Sequence, residues 1–147
     1  FDSSLSQRQR DIIAATFKMV RDRSRYSDKE YGENLATLTL AQGRLREQVE
    51  RLVSRIRARG ILQMDSSFQT VAEALPKAAE AMGEAEERLG ERKAAEALPP
   101  EQRALQQLQR AEAAFREVQV GRSNSEGGAG QANVEELAEL FELELDK

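Results

Sequence analysis

Four arginines give this sequence its clearest chemical option. Arg44, Arg51, Arg55 and Arg59 recur at intervals of seven and four, so a helix carries them along one face, with Arg46 and Arg57 beside them. A stripe of that kind binds phosphates and displaces their counterions, which is the electrostatic footprint of nucleic-acid recognition. The same spacing also suits the solvated face of a coiled coil. There the arginines pair with Glu47 and Glu50 of their own helix and with acids of the next one. No aromatic residue interleaves them, and the sequence pI is about 5.1. The balance favours the solvated face.

The carboxylates near the C-terminus offer a second option. Glu135, Glu136, Glu139, Glu142, Glu144 and Asp146 supply the oxygen ligands that calcium and magnesium prefer. No loop arranges them as a cation site, however, and acids spread evenly along a helix make a wet face. Cys and His are both absent. Thiol nucleophiles, disulfides, zinc–thiolate sites and imidazole bases are excluded. Carboxylate pairs and Ser–Lys pairs need neither residue, but here the acids and lysines fall at repetitive, outward positions. Tyr31, Gly32 and Asn34 lie together in "DKEYGEN", yet Tyr31 belongs to a packing seam. The sequence reads as a non-enzyme, with no catalytic, cofactor-binding or metal-binding residue and no cofactor.

What positions these side chains is a set of long helices. Charged residues make up 33% of the 147, aromatics 5%, and there are three prolines, a profile of helical bundles and coiled coils. A first helix is expected over residues 4–23, with Leu5, Ile12, Ile13, Thr16, Phe17, Met19 and Val20 as a wide apolar stripe. Ser27 and Glu30 then form a capping box. The second helix spans residues 28–59, and Tyr31, Leu35, Leu38, Gln42, Leu45, Val49, Leu52 and Ile56 alternate in steps of four and three. That is a heptad seam with one polar interruption, Gln42. Gly60 is placed to stop it.

A third helix starts near Ser66 or Ser67, with Phe68, Val71, Leu75, Ala78, Met82, Ala85 and Leu89 as its seam. Because that spacing passes through Pro76 without a change of phase, a kinked continuous helix is preferred to two, with a break at Leu75 as the alternative. Pro99 and Pro100 suit the first turn of a fourth helix, whose seam is Ala104, Leu108, Ala111, Phe115 and Val118. "GRSNSEGGAGQ" follows as a flexible linker.

The chain's charge is polarised. Residues 1–63 carry 13 bases and 8 acids, whereas residues 123–147 carry 1 base and 7 acids. Past the linker, Leu137, Leu140, Phe141 and Leu145 give a short acidic helix an apolar face, and at that length it needs a surface to pack on. A tethered amphipathic helix of this sort docks in a groove of its own bundle or of another chain, and opposite charge steers it to either. The longest nearly apolar run, "LATLTLA", falls far short of the ~20 residues of a membrane span. Opening on Phe1 and ending within a helical pattern, the sequence is expected to be an excised piece of a longer protein.

"ALPPEQRALQQLQRAEAAFREVQV", "ELAELFELELDK", the linker between them and the preceding "ALPKAAEAMGEAEERL" resemble a family of uncharacterised bacterial membrane proteins. The resemblance covers residues 65–147 and extends to the earlier helices, and "LPPEQRAL" is its most specific element. It implies membrane helices near the N-terminus of the full-length protein and a long helical extracytoplasmic region, of which this is a periplasm-facing part. It carries over no catalytic residues.

The expected fold is therefore all-α: an elongated antiparallel bundle of three to four long helices over residues 1–120, a Gly/Ser linker over 121–132, and an acidic amphipathic helix over 133–147. The expected function is that of a non-catalytic structural and docking module of a bacterial envelope protein. Leu137, Leu140, Phe141 and Leu145 would engage a protein partner or the parent chain, and the seams are also compatible with a homo-oligomer. Neither nucleic-acid binding nor membrane insertion is expected of this piece, and its compartment is expected to be periplasmic, with the cytoplasm as the other option. The alternative is a nucleic-acid-binding helical protein that uses Arg44, Arg51, Arg55 and Arg59.

Overall fold

The computed structural model describes residues 4–58, 66–123 and 140. Four helices follow one another: α1 (Ser4–Arg21), α2 (Asp28–Ala58), α3 (Ser66–Gly90) and α4 (Ala94–Ser123). Each packs on its neighbours in the chain, and α1 closes on α4, giving an all-α antiparallel bundle without strands among the described residues. At 31 residues α2 is about 46 Å long, from the 1.5 Å rise per residue.

The heptad seams account for the core. Leu35, Leu38, Gln42, Leu45, Val49, Leu52 and Ile56 of α2 are all buried, as are Phe68, Val71, Leu75, Ala78, Met82, Ala85 and Leu89 of α3. The Ser27 capping box forms as expected. Ser27 N–H donates to Glu30 Oε1 at 3.0 Å and Glu30 N–H donates to Ser27 Oγ at 3.1 Å. Arg23 reinforces this corner, lying 4.0 Å over the Tyr31 ring and 2.7 Å from Asp28.

α1 departs from its expected stripe. Its buried line is Leu5, Gln9, Ile12, Thr16 and Met19, while Phe17 is 51% exposed and Ile13 and Val20 are only half-buried. Counting apolar residues had broadened the face. The packed line keeps strict four-three steps and admits two polar residues because partners await them.

α3 runs unbroken through Pro76, as the unshifted seam implied. Ala74, Leu75, Ala78 and Ala79 are buried around the proline, so packing holds the helix where one backbone hydrogen bond is missing. α3 then ends in a double-bonded cap. Lys93 N–H donates to the Arg88 carbonyl at 2.9 Å and Arg92 N–H to that of Leu89 at 3.0 Å. The left-handed residue in this cap is Arg92, at φ 63°, a position where glycine is usual.

α4 begins at Ala94, earlier than its two prolines predicted. Pro99 and Pro100 lie in its second turn. The first turn is held by burial instead: Ala94 and Ala97 are 2% and 0% exposed, and Ala97 N–H reaches the Lys93 carbonyl at 3.0 Å. Ala95 and Glu96, whose carbonyls lose their usual donors to the prolines, are exposed to water. At its other end α4 continues to Ser123, three residues into the segment expected to be linker. The rest of that linker lies outside the described residues.

The buried residues form two apolar clusters. The larger runs from Leu5 and Ile12 through Leu45–Ile56, Phe68–Met82 and Ala104–Phe115, and it includes Leu140. The smaller joins Met19, Leu35, Leu38, Leu89, Ala94 and Ala97. Along α1, α2 and α4 the buried polar residues Thr16, Gln42 and Glu101 stand where one cluster gives way to the other, and further buried polar residues, Gln9 and Glu112 among them, lie within the span of the larger one.

Candidate functional site

α2 places the arginines where their spacing predicted, and α1 decides what they face. Arg44 and Arg51 are exposed and Arg55 is half-buried, whereas Arg59 lies outside the described residues. A groove of about 430 Å³ between α1 and α2 is lined by Arg8, Arg44 and Arg51, but also by Asp11, Glu47 and Gln48. Arg8 was not anticipated. It belongs to α1 and donates to Gln48 Oε1 at 2.9 Å. A second recess brings Arg51 and Arg55 beside Glu47, Glu50 and Ser54. Carboxylates thus interrupt the arginines in both places.

Arg46 makes the point most directly. It reaches Glu50 of its own helix at 2.7 Å and Glu86 of α3 at 2.9 Å, and the hydrogen bond to Glu86 raises its guanidinium above the ordinary value. The Glu86 pair ties the flank of α2 to α3. Arg103 of α4 pairs with Glu84 of α3 in the same manner.

Of the four apolar residues singled out near the C-terminus, Leu140 is described. It is helical, 1% exposed, and part of the larger core cluster. Leu137, Phe141 and Leu145 lie outside the described residues.

The buried polar residues are the most unusual feature of the interior. Gln9 of α1 and Gln42 of α2, both fully buried, exchange two amide hydrogen bonds of 2.9 Å. Thr16 of α1 meets Glu101 of α4, also fully buried, at 2.8 Å. Nearer the bundle end, Glu112 accepts from the Ser6 hydroxyl at 3.0 Å and from the Ser6 N–H at 3.3 Å. Every buried polar link in this set runs from α1. Burial pushes the Glu101 carboxyl up to about 8, with the Thr16 contact opposing it. Burial also raises Glu112, against the pull of Ser6, Arg116 and Arg10.

Sequence reading had found Gln42 as a polar interruption but missed Gln9, Glu101 and Glu112. The signal for the first two was register. Gln9 stands four after Leu5 and three before Ile12; Glu101 stands four after Ala97 and three before Ala104. Among the described residues, no three of His, Cys, Asp and Glu gather as metal ligands, and no helix is long and apolar enough to cross a membrane.

Comparison with known proteins places the chain in a family. Residues 5–139 match a family described as a domain of unknown function, DUF4175. The chain belongs to that family. No curated protein and no solved structure matches it. Membership in DUF4175 places the chain in an uncharacterised family, which is the coarser half of the resemblance noted in the sequence. The arginine groove, the salt-bridged flanks and the buried polar residues are thus features of a DUF4175 domain.

Proposed function

We propose that this DUF4175 domain is a non-catalytic docking module that works by helix packing, in an extracytoplasmic part of a bacterial envelope protein. The observation that carries the docking reading is the burial of Leu140. A leucine 17 positions beyond the last residue of α4, at Ser123, is 1% exposed within the core cluster built by the bundle. We read it as the docking contact of the acidic C-terminal segment, whose sequence is amphipathic. The seat then receives the chain's own C-terminal helix, and a protein partner or another part of the parent chain with a similar helix competes for it. The interrupted charge of the arginine groove favours protein over nucleic acid as the partner. The compartment rests on the sequence resemblance.

Leu140→Asp tests the reading in the full 147-residue chain. A Glu-specific protease is expected to cut the glutamates beyond residue 130 at least tenfold faster in the variant. A peptide of residues 133–147 is expected to bind the variant, whose seat is empty, and not the wild type. Equal cleavage rates, or a variant that ignores the peptide, would overturn the docking role.

A further inference from the structure

The Thr16–Glu101 contact contains a proton problem. Thr16 Oγ1 lies 2.8 Å from the Ile12 carbonyl and 2.8 Å from Glu101 Oε2. A hydroxyl has one proton to donate. When it goes to the Ile12 carbonyl, the usual bond of a threonine inside a helix, the second contact needs a proton from the carboxyl. The other carboxyl oxygen, Glu101 Oε1, is buried and has no hydrogen-bond partner. An ionised carboxylate would leave half its charge on that oxygen, away from water, at a cost of several kcal/mol. A neutral acid leaves only a carbonyl there.

The surroundings do not supply a compensating charge. α1 presents Thr16, and among the described residues no charged group of α1, α2, α3 or α4 acts on Glu101. Glu112 differs: Arg10 of α1 and Arg116 of its own helix both favour its ionised form. The two carboxyls that join α4 to α1 are therefore unlike, one flanked by arginines and one alone.

We propose that Glu101 is a proton-operated latch, a neutral carboxylic acid whose O–H is donated to Thr16 Oγ1 and holds α1 on α4, and whose ionisation loosens α1. The proton leaves to solvent as α1 opens and returns as it closes, and nothing else is consumed. The latch is independent of the docking of Leu140.

Amide hydrogen exchange of α1, corrected for the intrinsic effect of pH, tests it. Protection in wild type is expected to fall about tenfold per pH unit between pH 5 and 7.5 and to level off above pH 8. In Glu101→Gln, whose amide donates to Thr16 without titrating, the slope is expected to shrink to the part that Glu112 supplies. An undiminished slope in the variant, or a flat wild type, would overturn the latch. The carbon-13 resonance of the wild-type Glu101 carboxyl gives a reading free of mutation. At pH 6 it is expected at the position of a protonated acid, and a carboxylate signal there would equally overturn the proposal.

Discussion

Gln9 and Gln42 bond to each other twice, Nε2 of each donating to Oε1 of the other at 2.9 Å, with neither side chain exposed. The pair satisfies two of the four donor hydrogens and one lone pair of each oxygen across the α1–α2 interface. It fixes the height of α1 against α2, because sliding either helix by one turn would part both bonds. The single polar break in the α2 seam is therefore a register mark rather than a defect.

Removing one member of this pair should hurt more than removing both. Gln9→Leu or Gln42→Leu leaves a buried amide without its partner and is expected to cost about 1–3 kcal/mol. The double leucine variant replaces both polar groups by apolar ones and is expected to recover most of that loss. Urea unfolding followed by circular dichroism measures all three. A double variant as weak as the sum of the singles would mean that the amides contribute no mutual satisfaction.

Stability should fall as pH rises from weakly acidic to weakly basic. In the unfolded chain Glu101 titrates near 4.5, and in the folded bundle at about 8. Between those values the folded state keeps a proton that the unfolded state has released, so its stabilising contribution is complete below 4.5 and lost by the time pH has passed 8. The slope approaches about 1.4 kcal/mol per pH unit for one proton. Glu112, also raised, acts in the same direction. Asp22, Glu30 and Glu73 are lowered by Arg21, Ser27 and Lys77 respectively, and their contributions are lost at the acid end as pH falls through their folded values. Denaturation midpoints across pH 4–9 check the slope, which Glu101→Gln should reduce.

Two helical glycines should respond oppositely to alanine. A Cβ at Gly83 would stand 3.5 Å from Arg46 Cδ, an ordinary contact, so Gly83→Ala is expected to stabilise by about 0.5–1 kcal/mol through helix propensity. A Cβ at Gly43 would meet Glu86 Oε2 at 2.5 Å, and that carboxylate is held by Arg46. Gly43→Ala must push Glu86 from its partner and is expected to gain less or to lose. Thermal melts of the two variants decide it.

Leu140→Ala should destabilise the bundle if the leucine shares its core. Truncating a leucine at 1% exposure is expected to cost about 2–5 kcal/mol where the site cannot collapse. A change below about 0.5 kcal/mol in urea titration would show that Leu140 adds little to the cluster.

Much of the bundle was legible because its seams are written in aliphatic residues at four-three spacing. Leu35 to Ile56 and Phe68 to Leu89 could be read directly, and the unshifted phase across Pro76 decided correctly for one helix. Phe17 misled because hydrophobicity alone cannot tell a core face from a flank; Arg21 lies 6.0 Å over its ring at the surface. The start of α4 was misplaced because a proline's preference for a first turn was outweighed by burial of Ala94 and Ala97. Glu101 was invisible for a related reason. A glutamate on a seam is hidden by its charge in any hydrophobicity pattern, and only its register, with a threonine waiting on another helix, gives it away.

The separation of Met19, Leu35 and Leu89 from Leu108 and Phe115 bears on how such chains diversify. The residues at the two ends fall in separate apolar clusters, so substitutions at opposite ends should combine additively. A lineage can resize the side chains at one end without compensating at the other, provided Gln9, Thr16, Gln42 and Glu101 stay in place. The bundle is in this sense two small interiors on one set of rods, each able to drift at its own pace.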